Sequence, residues 1–196
     1  MIKRIFDIFI SLFALIILFP VFILLSVAIV IESKGGVFYR QIRIGKNGRE
    51  FQLIKFRSMF IDADKKGLLT VGGRDNRITK VGYFIRKYKL DELPQLLNVL
   101  RGDMSLVGPR PEVKKYVDLY TPSQRKVLSV RPGITDPASL KFRNENDLLA
   151  KADNPEEFYI KKIMPEKLNI SIDYIQKQNF FSDLKVIFNT FFKILH

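Results

Sequence analysis

The sequence predicts an α+β, predominantly α chain: an N-terminal re-entrant membrane helix, a small β-hairpin, and a helical domain with amphipathic interfacial helices. Three observations carry that expectation. Residues 8–31 are apolar but for two serines and Pro20. β-branched and aromatic residues flank the Asn-Gly pair at Asn47 and Gly48, and Leu93, Leu96, Leu97 and Leu100 repeat at helical spacing. At 196 residues the chain suits one domain with an accessory segment. We divide it into residues 1–34, the membrane helix, and residues 35–196, a domain that folds as a single unit with that anchor.

As a helix the apolar run rises ~36 Å, enough to cross a ~30 Å hydrocarbon core. Pro20 argues for a bend, because it has no N–H and its ring crowds the preceding turn, leaving arms of only ~18 Å. Cations flank both ends, Lys3 and Arg4 before and Lys34, Arg40, Arg43 and Lys46 after, whereas a spanning helix usually carries its excess on one side. A helix that re-enters at Pro20 satisfies both facts and keeps most backbone bonds, with the serines serving carbonyls freed at the bend. A signal anchor that spans, with the domain outside, is the alternative. The run is too long for the apolar region of a cleaved signal peptide.

Residues 37–59 read VFYRQIRIGKNGREFQLIKFRSM, a two-stranded hairpin turning at Gly45, Lys46, Asn47 and Gly48. Residues 60–80 are polar, with Gly72, Gly73, Arg74, Asp75 and Asn76 in a row, and suit a surface loop. A helix follows, with Asp91 at its N-cap, Pro94 in its first turn and Gly102 at its end. GPRPE (108–112) and RPGI (131–134) are rigid proline turns that each carry an arginine. Near the C-terminus Phe180, Phe181, Leu184, Ile187, Phe188, Phe191, Phe192 and Leu195 mark a helical face, with Lys185 and Lys193 placed to reach headgroups. It reads equally as a core helix or an interfacial one.

Composition narrows the chemistry. A net charge of +13 and a pI near 9.9 imply an anionic partner: nucleic acid, a phospholipid surface or a phosphorylated substrate. With no cysteine, and with His196 as the one histidine, disulfides, thiolate chemistry, His-based triads and His metal clusters are excluded. No P-loop or dinucleotide fingerprint is present.

Attention therefore falls on Asp91 and Glu92 in KLDELPQLLNVL (89–100). Taken alone, Asp91 is an N-cap and Glu92 a first-turn acid favoured by the helix dipole. Around them in sequence lie Arg86, Lys87, Lys89, Arg110, Arg131, Lys141 and Arg143, candidates for a cationic pocket that holds phosphate and keeps carboxylates ionised. An ionised Asp can attack phosphorus, and a neighbouring acid can hold Mg²⁺, which needs only one or two carboxylates plus substrate phosphate.

FYRQIRIGKNGREF, KFRSM, ITKVGYFIRKYKLDELPQLLNVLRGDMSLVGPRPE and RPGIT, with the proline-broken N-terminal segment, resemble the monotopic phosphoglycosyl transferases. These small bacterial sugar transferases start glycan assembly on a polyprenol phosphate, and the likeness covers nearly the whole chain. The resemblance implies a catalytic domain at the cytoplasmic face of the bacterial inner membrane. It implies that Asp91 attacks the sugar-bearing phosphate of a UDP-sugar, releasing UMP, and that undecaprenyl phosphate takes the phosphosugar. Glu92 would assist, with Asp91 and Glu92 as ligands of a Mg²⁺ cofactor. Arg86 and Arg143 match family arginines that contact phosphate or nucleotide, Arg110 the Pro-Arg-Pro arginine, and Lys55 and Arg57 the basic KFRSM strand. Arg131 joins them as a phosphate-binding candidate.

After RPGIT the family continues with glycine and a Gln-Val-x-Gly-Arg-Asn pattern, but this chain reads DPASLKFRN from Asp136. Asp136, Pro137 and Lys141 are therefore expected to reshape the donor pocket. The short chain leads one to expect no extra N-terminal transmembrane bundle. The expected partners are a UDP-sugar, undecaprenyl phosphate and an anionic phospholipid membrane, with a homodimer among the assemblies the chain allows. No nucleic-acid partner is expected, since no RNP motif, zinc pattern or basic recognition helix is present. The rival readings are a non-catalytic membrane scaffold and a membrane-anchored nucleic-acid binder.

Overall fold

The computed structural model describes residues 2–63, 67, 69–72 and 75–195. Of the residues singled out above, Gly73, Arg74 and His196, and the side chain of Leu195, lie outside that description. The fold is predominantly helical with little strand, as the sequence predicts. Helix α1 (Ile2–Glu32) is followed by β1 (Phe38–Ile44) and β2 (Glu50–Phe56), α2 (Lys80–Lys87) and a 3₁₀ turn at Leu90–Glu92. Then come α3 (Gln95–Arg101), β3 (Ser105–Val107), α4 (Lys114–Val117) and β4 (Gly133–Thr135). Helices α5 (Pro137–Lys141), α6 (Glu145–Ala150), α7 (Pro155–Phe158), α8 (Met164–Lys177) and α9 (Phe180–Leu195) complete the chain, with a π-helical stretch at Tyr159–Ile163 leading into α8.

The hairpin forms where expected. β1 and β2 pair antiparallel from Phe38 opposite Phe56 to Ile44 opposite Glu50. Asn47 and Gly48 supply the left-handed backbone of the turn, at φ 57° and 75°, which Asn and Gly adopt most readily. A second, parallel pair joins β3 to β4. There a Cβ on Gly133 would stand 2.1 Å from Gly108 N, so the two backbones meet at a distance only glycine permits.

Helix α1 runs unbroken through Pro20. Ser26 donates to Phe22 O at 2.6 Å, and buried Ser11 Oγ has no partner among the described residues. Neither serine therefore serves the Ile16 carbonyl that Pro20 leaves without its usual donor. Both ends of α1 are tied to the same domain. At the start, Arg4 donates to Val99 O (2.6 Å) and Leu100 O (3.1 Å), satisfying carbonyls at the end of α3. Buried Asp7 accepts from Ser105 Oγ (2.8 Å) and Leu106 N (3.2 Å), and Lys3 pairs with Asp183 of α9. At the far end, Glu32 accepts from Lys80 N (2.6 Å) and Val81 N (2.8 Å), capping α2. Arg57 donates to Ser33 O (2.7 Å), Lys34 O and Ile29 O.

Between these ties, Ile10, Ala14 and Leu15 pack on the cluster of Val99, Met104 and Leu106, while Leu25 and Ile29 pack on Phe56 and Ile85. The opposite face of α1 exposes Phe9, Phe13, Ile16, Phe19, Leu24 and Ile31 among others. This is the one helix among the described residues long and apolar enough to cross a membrane, and so large an apolar face marks membrane association. Helix α9 packs one side into the domain, as a core helix does, and leaves an apolar side exposed. Asp183 and Val186 are buried, Ile187 half-buried, and Phe180, Phe181, Phe188, Phe191 and Phe192 point outward.

Candidate functional site

The site is built around the turn that carries the acids. Lys89 takes a left-handed conformation (φ 56°), which ends the chain direction of α2 and starts the 3₁₀ turn at Leu90. Asp91 and Glu92 lie inside that turn, and α3 begins three residues later, at Gln95, with Pro94 at its N-cap. Asp91 is therefore not the N-cap. A cap there would accept from the backbone N–H at position 93 or 94, and position 94 is proline, which has none. Gly102, at φ 93°, does end the helix as expected.

Both acids are buried, at 5% and 9% exposure, yet they are used differently. Glu92 is enclosed by cations: Arg110 reaches both its oxygens, at 2.5 and 3.2 Å, and Lys55 Nζ donates at 3.1 Å. Asp91 accepts no hydrogen bond from any described residue, and lines a cavity of about 480 Å³. Burial raises the Asp91 pKa; the Lys55 ammonium opposes it and the Glu92 charge adds to it. Burial also opposes the charge on Glu92, but Arg110 and Lys55 outweigh it and hold that carboxyl well below its ordinary value. The Arg110 guanidinium is raised in turn, chiefly by Glu92. Among the described residues Glu92 and Glu145, which also line the cavity, are each paired with a cation, whereas the Asp91 carboxylate faces it without a hydrogen bond.

The cavity brings together Lys55, Arg86, Asp91, Glu92, Arg110 and Arg143. Arg86 comes from the last turn of α2 and donates to Thr70 Oγ1 at 3.1 Å. Two expected phosphate contacts lie elsewhere. Arg57 is spent on the carbonyls that end α1, so its place is structural, and Arg131 donates to Gly102 O at 2.8 Å outside the cavity. The departure from Asp136 onward acts through other residues than expected. Asp136 caps α5, accepting from Ser139 N (2.7 Å) and Ser171 Oγ (3.0 Å), and Lys141 pairs with Glu166 on the surface. Ser139, Leu140 and Phe142 of that segment line the cavity instead.

As a Mg²⁺ site the acids fit in part. Asp91 has open lone pairs and can serve as the single carboxylate that this ion often takes beside substrate phosphate. Glu92 does not fit as a second ligand, because Arg110 and Lys55 occupy its oxygens. No group of three or more His, Cys, Asp or Glu suited to a metal exists among the described residues.

Sequence reasoning missed the rest of the wall. Ile10, Ala14 and Leu18 of α1 line the cavity, as do Glu145, Asn146 and Lys167. The α1 residues lie in an unbroken apolar run that distinguishes no position. Glu145 and Lys167 are ordinary helical charges 22 residues apart, and only the fold pairs them.

The chain is 36% identical over 195 residues to the UDP-glucose:undecaprenyl-phosphate glucose-1-phosphate transferase of Klebsiella pneumoniae, covering 97% of this chain but 39% of that protein. It is 35% identical to the protein of the same name from Caulobacter vibrioides, over 96% of this chain and 67% of the other. To the uncharacterized sugar transferase EpsL of Bacillus subtilis it is 40% identical over 194 residues, covering 98% of this chain and 87% of EpsL. The family described as bacterial sugar transferase matches residues 1–196, and the chain belongs to that family.

Proposed function

We propose that this sugar transferase moves a sugar 1-phosphate from a UDP-sugar to undecaprenyl phosphate, initiating lipid-linked glycan assembly. The donor and acceptor are those printed in the names of the Klebsiella and Caulobacter relatives. The observation that carries the reading is the unpartnered Asp91 carboxylate, in a cavity whose walls are cationic side chains and the membrane helix itself.

An Asp91 oxygen attacks the phosphorus that bears the sugar, an aspartyl O–P bond forms, and the bridging P–O bond breaks. UMP leaves with the electron pair. A phosphate oxygen of undecaprenyl phosphate then attacks the same phosphorus, and the aspartyl O–P bond breaks to restore the carboxylate. Lys55, Arg86, Arg110 and Arg143 face the charge that this transfer moves. Glu92 positions Arg110 and Lys55. A Mg²⁺ held by Asp91 and the donor's phosphates would supply further charge neutralisation on the leaving UMP.

In this reading α1 re-enters rather than spans. Laid straight, its 31 residues would reach ~46 Å, and a span would carry Lys3, Arg4 and Asp7 across the bilayer from the domain they bind. The anchor thus presents the site at the cytoplasmic face, where the acceptor's phosphate lies, and the basic surface favours anionic lipid. The test is UMP release from UDP-sugars without acceptor, with mass spectrometry for a phosphosugar on the enzyme. The wild type is expected to release UMP and carry the adduct, and Asp91→Asn to do neither. Unchanged turnover by Asp91→Asn would refute the assignment.

A further inference from the structure

Glu145 and Lys167 form an ion pair at 2.7 Å, with side chains 21% and 13% exposed, and both line the cavity. The pair is fixed from behind. Lys167 Nζ lies 5.6 Å from the centre of the Tyr159 ring, and the Tyr159 hydroxyl donates to Glu112 at 2.6 Å. Tyr159 opens the π-helical stretch that leads into α8, a backbone irregularity often found at functional sites. Ser139 Oγ is buried and has no partner among the described residues, and it too lines the cavity.

The cavity's lining divides by chemistry. Its apolar part, with Ile10, Ala14, Leu96, Leu106 and Ile187, belongs to the packed cluster that seats the membrane helix, and suits a lipid chain. Glu145 instead borders the phosphate-facing cations, near enough to Arg110 to add to the charge that surrounds it. In the UDP-sugar reading, a polar group among those cations faces the water-soluble donor.

We infer that the Glu145–Lys167 pair is a specificity element that admits a neutral donor sugar and disfavours an anionic one. The inference rests on the UDP-sugar reading above. As a pair the two side chains present acceptors and donors to hydroxyls with no net charge. Hydroxyls of a neutral hexose can share those bonds, whereas the carboxylate of a uronic acid would meet Glu145 at close range and find Lys167 already paired.

The test measures binding of UDP-glucose and UDP-glucuronate to the full-length protein by calorimetry, with UMP release followed in parallel. Glu145→Gln frees the Lys167 charge and is expected to shift the binding ratio toward UDP-glucuronate by about tenfold, a modest fraction of the Coulomb energy of a close pair. Lys167→Met leaves Glu145 unpaired and is expected to shift the ratio the other way. Opposite shifts from two variants of one ion pair cannot arise from a merely structural role. An unchanged ratio, or shifts of the same sign, in variants with wild-type circular dichroism overturns the inference. If neither donor binds the wild type, the inference falls, and the UDP-sugar reading falls with it only if no UDP-sugar yields UMP; if both bind with no UMP release, the reaction falls while the ratio still decides the inference.

Discussion

At the scale of single residues, the site turns on how differently two adjacent carboxyls are treated. Glu92 sits among Arg110 and Lys55 and stays ionised, whereas Asp91 is raised by burial and restrained chiefly by Lys55. The sign of the pH dependence follows. In the proposed reaction the attacking form is ionised, so UMP release should fall as pH drops through the raised Asp91 pKa, at a pH above the ~3.9 of an ordinary Asp. Lys55→Met removes a charge that lowers that pKa, and should move the acid limb of the rate profile to higher pH. An acid limb that stays in place, in pre-steady-state UMP release measured from pH 4 to 8, would show that Asp91's ionisation does not control the step. The acid pair stood out in the sequence because so few other reactive side chains exist, and the structure places both acids at the cavity. The division of labour was not, because Asp91 and Glu92 differ by which cations reach them, and Arg110 arrives from a turn 18 residues away.

At the scale of elements, the local signals that succeeded were those with a backbone mechanism. The Asn47-Gly48 turn and the Gly102 helix end both needed left-handed backbone, and the sequence put Asn and Gly there. The N-cap reading of Asp91 failed because Lys89, not a glycine, takes the left-handed step that inserts a separate turn before α3. Arg57 was misread for a related reason: a basic strand residue looks alike whether it faces phosphate or three carbonyls of a helix end. The β3–β4 crossing is the element on which Arg110 depends, since Gly108 immediately precedes the Pro109-Arg110-Pro111 turn. A Cβ on Gly133 would meet Gly108 N at 2.1 Å and Gly108 O at 2.5 Å, and these are backbone atoms that cannot rotate away. Gly133→Ala should therefore cost about 1–3 kcal/mol or more, lowering the unfolding midpoint. It should also weaken donor binding by displacing Arg110. Gly36→Ala, whose added carbon meets nothing nearer than 4.0 Å, is the control expected to leave both unchanged.

At the scale of the whole molecule, the membrane helix and the site are one construction. The helix offers lipid an apolar face, lends Ile10, Ala14 and Leu18 to the cavity, and is tied down at both ends. From the sequence, Pro20 and the two-sided cations suggested that both ends share a compartment. The structure adds a stronger argument for that proposal than either signal: a buried carboxylate, Asp7, satisfied by Ser105 and Leu106 on the domain, and Glu32 capping α2. Drawing Asp7 through a bilayer would break bonds to a buried carboxylate and cost several kcal/mol. Because the chain contains no cysteine, a single introduced thiol reports its own compartment. Ile2→Cys, at the start of α1, and Asp173→Cys, on the exposed side of α8, should both react with a membrane-impermeant maleimide in inverted vesicles and neither in right-side-out vesicles. If Ile2→Cys reacts only in right-side-out vesicles while Asp173→Cys reacts only in inverted ones, the helix spans. The N-terminal ties to Val99, Leu100, Ser105 and Asp183 would then be absent from the membrane-bound protein, and the cavity would lose its α1 wall.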